Sequence, residues 1–599
     1  MASRSRLFNL LLALAVIITI LYLPPAAAAE DKARKPWEIW NYDKEKPVRG
    51  GTYVIASTTE VGLFNPNHWP VMDWVSILFF WDPLFISDAT KRSHPFLVES
   101  LEYTDNLTAV MKLKQGVRFH DGVDSDALAF KTQIEYIKDK ANGCWSRSMM
   151  KNIESVEILD KHTIKLKFTG PWTGFIGAMQ DPPGWMISPK ALKGDVLVKQ
   201  VKKLTKKVKI AKKKANKAKK KSGKGDAAAD KKAEKLAEKA LALAEELKIA
   251  EVKAKGLVST DHKPVGTGKW IFDEYRPGNI LKVKRNPDWW YGKAVGHSEM
   301  PYFDKRTTLV IPDISVQLAN LRAGKIHEMS GLDKSLFEKA KKNPKLSVSA
   351  RPSSQTYVLR INHNKEALKD VRVRRAISLA VDRKALVHGL FYGLADPAVS
   401  FMPHDHWARN KTMAHWEYNP EKARALLKEA GYEKGLTLNQ GVVLDYMGLA
   451  TLAEPIKAML ANIGITWKTQ MLTMAAASDR VRNLEYDLFT DTWGVHDPQT
   501  YLTRIYHPNG ASNSGRINHE KITSLIDTAS TELDEGKRKQ IYKSIDKLLY
   551  DEVIDIYLVY DYAITAMRSN VLGYDNEMAG RWGYLYNITH PLWFKDGKP

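Results

Sequence analysis

A mixed α/β protein with more than one domain is what this sequence predicts, on three observations. The chain has 599 residues, more than one hydrophobic core normally organises. Its apolar content of 44% is that of an ordinary globular protein. Strand-like and helix-like segments alternate along its whole length. "GTYVIAS" (50–56), "LTAVMKLKQGVRF" (107–119) and "TIKLKF" (163–168) alternate apolar with polar residues, the pattern of half-buried strands. "VRVRRAISLAVDRKALVHGLFYG" (371–393) carries apolar residues at helical spacing and stops near Gly393. In "NPEKARALLKEAG", Asn419 fits a helix N-cap, Pro420 the first turn and Gly431 the C-terminal stop.

The net charge is +23, but it is concentrated. Residues 198–255 hold 21 Lys against 7 Asp and Glu, a net of +14 that leaves +9 for all the rest. Val201, Leu204, Val208, Ala211, Ala215 and Ala218 are spaced three and four apart, as are Leu236, Ala240, Leu243, Leu247, Ala250 and Ala254. Both are heptad seams, and Ser222-Gly223-Lys224-Gly225-Asp226 separates them with turn residues. This predicts a helical hairpin, an antiparallel coiled coil with a basic first arm. Glu234, Glu238, Glu245, Glu246 and Glu251 on the second arm suggest exposed Lys–Glu pairs between the arms. A disordered lysine-rich loop is the alternative, because Ala-rich seams bury little area. Such a segment would attract polyanions non-specifically. It has no aromatic residue on which a base could stack, so specific nucleic-acid binding is not expected.

Arg4 and Arg6 precede an uncharged apolar run, Leu7 to Leu23, followed by Pro24-Pro25 and Ala27-Ala28-Ala29. This reads as a signal peptide, residues 1–29, cleaved after Ala29, with a periplasmic mature protein; a retained membrane anchor is the alternative. No Cys follows the apolar run, so no lipoprotein cysteine is available. Cys144 is the only cysteine, which rules out an intrachain disulfide and a Cys-built metal site. No G-x-S-x-G, H-E-x-x-H or Walker pattern occurs. His404-x-His406 in "FMPHDHW" is the best metal candidate, though a surface loop is the favoured reading. The expectation is a protein that is not an enzyme and needs no cofactor or metal.

A series of short motifs runs along the chain in order: "RGGTYVIA…FNPNHW", "LVESLEYTDNLTAVMKLKQGVRFHDG", "PVGTGKWIFDEYRPGNILKVKRNPDWWYG", "LKDVRVRRAISLAVDRKALVHGLFYG", "YNPEKARALLKEAGY", "DTWGVHDPQTYL" and "GKRKQIYKSIDKLLYDEVIDIYLVY". Individually, most describe fold maintenance: Gly266-Thr267-Gly268 is a close backbone passage, His120-Asp121-Gly122 a hairpin turn, Asp370 a helix-start acid, and Asp382-Arg383 a possible ion pair. Together, from about Arg49 to Pro591 and excepting the hairpin, they resemble the family 5 extracellular solute-binding proteins, the dipeptide, oligopeptide and nickel-chelate receptors of ABC importers.

The resemblance implies a bilobed, periplasmic-binding-protein-like fold with three subdomains. The first lobe would comprise 47–88, 172–312 and 550–599, with a small subdomain, 89–171, inserted in it. The second lobe would be 313–549, and 198–255 an accessory insertion. A small solute or peptide would be enclosed between the lobes and passed to an ABC permease in the inner membrane, by a monomer. In "DTWGVHDPQTYL", Trp493 carries over as a pocket wall, with His496 and Asp497 in the following loop. Peptide receptors of the family carry an extra acid in this loop, to pair with the peptide ammonium. Here the loop is shorter and lacks it, so recognition of a free peptide N-terminus is in doubt. Weaker candidates are Trp69 or His68 at the lobe edge, Trp145 and Arg147, Trp185, Tyr357 and Asn513. The rival reading is a polyanion-binding or cell-surface protein acting through the hairpin.

Overall fold

The computed structural model describes residues 46–68, 77–87, 91–220, 222, 227–444, 448–495, 497–510, 512–574 and 592–599. The expected leader, Trp69 and His496 lie outside these. One sheet runs through both lobes. Its strands are β1 (Thr52–Ser57), β2 (Trp270–Arg276), β3 (Ile280–Arg285), β4 (Lys305–Val310), β5 (Glu328–Ser330), β6 (Leu346–Ile361), β7 (Leu436–Leu444), β8 (Ile465–Leu472), β9 (Leu488–Gly494) and β10 (Asp555–Arg568). Their spatial order is β8-β7-β9-β6-β10-β5-β1-β4-β3-β2, with Ala395–Pro397 pairing β10 off this path.

The long strands β6 and β10 are the crossings between the lobes. They pair antiparallel from Leu346↔Arg568 to Arg360↔Asp555, with the register broken between Pro352 and Thr356. On one side of the break β10 joins β5; on the other, β6 joins β9. The break is where a two-lobed sheet can bend.

Packing moves the lobe boundary expected from the sequence. Leu318, Leu321, Ile326, Met329 and Ala340 share a core with Ala56 and Ala566. Residues 314–346 therefore pack on the first-lobe sheet rather than with the second lobe. Ile556, Leu558 and Val559 pack with Leu359, Val442 and Leu488, which places the first half of β10 in the second lobe. One long strand serves both lobes, so no single cut in sequence separates them.

The small subdomain is a four-stranded antiparallel sheet, in spatial order Val98–Asp105, Thr108–Leu113, Thr163–Phe168, Ile153–Ile158. Its Met111, Phe130 and Ile164 are continuous with the first-lobe core at Phe64, Phe79 and Phe80. The close passage at Gly266 and Gly268 is real: a Cβ would stand 2.1 Å from the Phe80 carbonyl oxygen or 2.4 Å from that of Phe79. Asn419 caps the helix Pro420–Glu429 by accepting from the Lys422 N–H at 2.9 Å, and Gly431 follows with φ +86°. The segment 371–393 is two helices, Val371–Ala380 and Arg383–Gly389. Asp370 caps the first, and Asp382 caps the second at the Ala385 N–H, 2.9 Å away. Arg383 is buried and donates to the Tyr557 and Ser378 carbonyls, so the expected Asp382–Arg383 pair is replaced by a cap and a backbone clamp.

In the first lobe the helix α1 (Phe175–Gln180) leads to the hairpin. The hairpin is α2 (Pro189–Lys219) packed on α3 (Ala227–Ala254). Leu204, Val208, Ala211 and Ala215 are buried along the predicted seam, as are Ala240 and Ala250 of the facing arm. The Lys–Glu pairs expected between the arms do not form among the described residues: the ten lysines from Lys202 to Lys219 are all exposed, and none makes an ion pair. Small seam residues bring the backbones together while the long side chains splay outward. The hairpin is also rooted deeper than its predicted start at 198. Asp195 is fully buried and accepts from Asn65, Tyr136, Ser259 and the Thr260 N–H. His68 Nδ1 lies 2.6 Å from Asp261 Oδ1, and Lys199 reaches His68 and the Asn142 carbonyl.

Candidate functional site

Side chains alternate faces along a strand, and the register of β9, β6 and β10 decides what stands beneath Trp493. Thr356 pairs with Trp493 and Val358 with Asp491; Val358 also pairs with Tyr557, and Arg360 with Asp555. Trp493, Asp491, Arg360, Asp555 and Tyr557 therefore share one face. Across it lies the helix α4 (Pro498–Ile505). Arg360 Nε donates to Asp491 Oδ2 at 2.9 Å, one terminal nitrogen to Asp555 Oδ2 at 2.6 Å, and the other to the Tyr501 hydroxyl at 2.9 Å. The Tyr506 hydroxyl donates to Asp555 at 2.9 Å. Burial pushes both carboxyls up, and the Arg360 charge opposes that shift. Every charge in the layer has a counter-charge, which a buried ionic network requires.

Trp493 is held on top of this layer. Its indole N–H donates to Asp491 Oδ2 at 2.6 Å, the oxygen that also receives Arg360. Tyr501 meets the ring edge-on, with centroids 6.3 Å apart. The Arg504 guanidinium carbon lies 4.7 Å from the ring centre, a cation–π arrangement. The indole is half-buried.

The first lobe meets this wall through α1. Asp497 caps α4, accepting from the Thr500 N–H at 2.7 Å, and Pro498 takes the first turn. Gly177 of α1 lies against Asp497 so closely that a Cβ there would be 2.7 Å from the Asp497 side chain. Thr173 donates through its N–H to the Ser530 carbonyl and through its hydroxyl to that of Ala529, both at 3.0 Å. These second-lobe carbonyls belong to the helix α5 (Glu520–Thr531).

α1 ends at Asp181, which no sequence pattern singled out. Asp181 is partly buried; its carbonyl accepts from the Gly184 N–H at 2.8 Å, and among the described residues its side chain makes no hydrogen bond or ion pair. Its carboxyl is pushed up to about 7 by burial first and by the neighbouring Asp497 charge second, against the pull of Arg504. Arg504 donates from Nε to the Ser512 hydroxyl at 2.9 Å; the residue is exposed as a whole, while its guanidinium, over the Trp493 ring, is held below the usual range by desolvation. Asp181 of one lobe thus feels the charges of Asp497 and Arg504 of the other, and Arg504 lies over the Trp493 ring.

The other candidates stand elsewhere. Trp145 is half-buried, its indole N–H bonded to the Pro66 carbonyl at 3.0 Å, and Arg147 is exposed on the same short 3-10 segment. Trp185 is buried and donates to the Gln180 carbonyl at 2.7 Å. Tyr357 is in the second-lobe core, edge-on to Phe391. Asn513 spends both its amide groups on its own loop, at Ile517 and His507. His68 is locked into the hairpin root. His404 is exposed beside Asp405, while His406 is fully buried. Among the described residues no three His, Cys, Asp or Glu side chains are placed to hold a metal, and no helix is long and apolar enough to cross a membrane.

A two-lobed sheet with long strands crossing between the lobes is the architecture of receptors that enclose a solute between their lobes. Solved structures share the fold. A DppA from Helicobacter pylori in complex with the peptide STSA superposes with a TM-score of 0.69 at 22% identity, covering 92% of this chain and 100% of that one. NikZ from Campylobacter jejuni in complex with Ni(L-His) gives 0.67 at 22%, covering 90% and 98%. The glutathione-binding protein GsiB of Escherichia coli (strain K12) is 24% identical over 510 residues, 83% of this chain and 86% of GsiB. The sequence model of the bacterial extracellular solute-binding proteins, family 5 Middle, matches residues 93–513. The chain belongs to that family, and is a solute-binding component of an ABC transport system.

Proposed function

We propose that this chain captures its solute, a peptide or another small molecule, in the crevice where Trp493 and α4 face α1. The observation that carries this reading is the direct packing of the two lobes at Gly177 and Asp497 beside a half-exposed Trp493. On this reading the protein is exported with its N-terminal segment removed, acts in the periplasm as a monomer, performs no chemistry on its cargo, and hands the closed complex to an inner-membrane permease. The related receptors carry peptides, glutathione and nickel chelates by their names, and any of these classes fits the scaffold. Mass spectrometry of material released on denaturing the purified protein tests the reading. A stoichiometric small solute is expected, and rebinding of that solute should weaken in Trp493→Ala. Absence of any solute that binds would remove the receptor reading.

A second reading concerns the hairpin, and the ten exposed, unpaired lysines of α2 favour it. They would hold the protein on polyanionic surfaces by counterion release. Retention on heparin at moderate salt, lost when the arms are removed, is the expected result.

A further inference from the structure

We propose that the hairpin docks the protein on an anionic phospholipid bilayer, with the outer face of α2 on the headgroups and the outer face of α3 turned away. The proposal rests on the polyanion reading of the hairpin above and names its partner. The placement of charge on the two arms carries it. Leu204, Val208, Ala211 and Ala215 are buried along the seam with α3. Lys202, Lys206, Lys209, Lys213 and Lys217 are spaced four, three, four and four apart, which sets them in one line on the side of α2 opposite that seam. All five are exposed, and none has an ion-pair partner among the described residues. At a rise of 1.5 Å per residue the line is about 22 Å long. Lys203, Lys207 and Lys214 flank it, with Ile210 exposed among them.

The other arm differs. Over Ala227–Ala254 six lysines are matched by six acids, whereas Pro189–Lys219 holds thirteen lysines and one acid. Glu234, Glu238, Leu241 and Glu245 are spaced four, three and four apart. They form an exposed line on the side of α3 away from buried Ala233, Ala240 and Ala250. The hairpin is therefore a plate with a basic face and an acidic one. Asp195 and Lys199 tie its root to Asn65, Tyr136 and Asn142, so the basic face keeps a set direction relative to the lobes.

This geometry selects a plane. A straight line of charge meets a flat, uniformly charged surface over its whole length. A nucleic-acid backbone winds away from such a line after a few phosphates, and a glycan chain wrapped around the hairpin would meet the acids of α3. The residue type agrees. α2 has no arginine, so it lacks the planar fork that fixes individual phosphate or sulfate groups. Its lysines are flexible point charges that settle among mobile headgroups and lay their stems on the apolar boundary. Ile210 is the aliphatic side chain placed to enter that boundary. Docked in this way, the receptor is concentrated at the surface that holds its membrane partner.

The test uses the full-length exported protein and vesicles of phosphatidylcholine, with or without about a third of phosphatidylglycerol. Co-sedimentation is expected with the anionic vesicles only, and should be reversed near 1 M salt, where the Debye length falls to about 3 Å. Replacing the outer line of α2 (K202Q, K206Q, K209Q, K213Q and K217Q together) should weaken vesicle binding at least tenfold. Removing the same charge from α3 (K231Q, K232Q, K235Q, K239Q and K248Q together) should weaken it less than threefold. Circular dichroism and melting temperatures verify that both variants fold. In a Cys144→Ala background, a polarity-sensitive dye attached through Ile210→Cys should shift to the blue on anionic vesicles, and one attached through Leu241→Cys should not. Equal losses in the two lysine variants, or equal dye shifts at the two positions, overturn the proposal, because net charge rather than one face would then drive binding. Retention on heparin or duplex DNA without vesicle binding also overturns it and makes a glycan or a nucleic acid the partner. Each of these results leaves the polyanion reading standing. Failure to bind heparin, DNA and anionic vesicles alike defeats the polyanion reading itself.

Discussion

Beneath Trp493, Arg360 is enclosed by Asp491, Asp555 and the hydroxyls of Tyr501 and Tyr506, and all of its nitrogens are engaged. One layer above, Arg504 makes a single side-chain hydrogen bond, to Ser512, and lies over the Trp493 ring. The two arginines share a wall, but their surroundings give them different work. A buried guanidinium with complete counter-charge holds the sheet and α4 in one geometry. An accessible one with spare donors has binding capacity left. The comparison teaches that in this wall a charge is structural where it is satisfied and available where it is not.

The largest effect should come from breaking the satisfied layer. Arg360→Ala leaves Asp491 and Asp555 buried without their cation, and losing one partner of such a network costs about 3–5 kcal/mol. The urea midpoint should fall accordingly, and solute binding should fall with it because Trp493 loses its anchor at Asp491. A variant of near-native stability would show that the layer is not structural.

Next comes the aromatic surface between the two arginines. Trp493→Ala should weaken solute binding at least tenfold, about 1.4 kcal/mol, with little change in the melting temperature of the solute-free protein. Unchanged affinity would take Trp493 out of the site; loss of folding would make it part of the core.

Trp493 could be nominated from sequence because it lies in a local motif, and Asp491 could have been placed beside it, since a strand places residues two apart on one face. Arg360 opposes them only through a cross-strand register that no local pattern encodes. Asp181 is more than 300 residues from Trp493 in sequence and comes near α4 only because α1 packs against Asp497 of the other lobe. Tyr357 and Asn513 show the opposite failure: their polar atoms and rings suit a pocket, and packing commits them to a core and a loop. The fold itself was legible, through turn and cap residues such as Asn419, Asp370 and Gly266, because those constraints act over a few residues. The lobe boundary was not, because β10 belongs to both sheets.

A smaller effect, on stability, separates Asp181 from its neighbours. Its carboxyl is pushed from an ordinary 3.8 up to about 7 in the folded protein. Between those values the folded state keeps a proton that the unfolded chain has released, so this group's contribution to stability falls as pH rises from about 4 to about 7 and is flat above. Asp497, also shifted upward, and Arg504 are the charged groups that shape its environment. Asp181→Asn should therefore raise the melting temperature of the solute-free protein relative to wild type at pH 8 and leave it unchanged near pH 4. Asp82 and Asp546 are pushed to about 6 and about 7 by their own burial, so the difference between variant and wild type, rather than either profile alone, reports on Asp181. An equal difference at both pH values would mean that the Asp181 charge is already balanced.

The smallest expected effect on solute affinity is at the hairpin, although it carries most of the net charge. Its outer arms touch neither Trp493 nor α4, and loop-closure entropy grows only with the logarithm of the length inserted, so removing them should leave the lobes unchanged. The root is different, because Asp195, Lys199 and Ser259 to Asp261 are joined to Asn65, His68, Tyr136 and Asn142. The informative deletion therefore replaces 203–251 with a short turn and keeps the root. Solute affinity should stay within threefold of wild type while heparin retention at moderate salt disappears. A cut that extends through Lys199 and Asp195 should in addition lower the melting temperature, because the buried partners of Asp195 lose their acceptor. If the outer deletion alone abolished solute binding in a folded protein, unpaired charge far from the crevice would be part of recognition, and the contrast between satisfied and available charge would have to be drawn across the whole molecule.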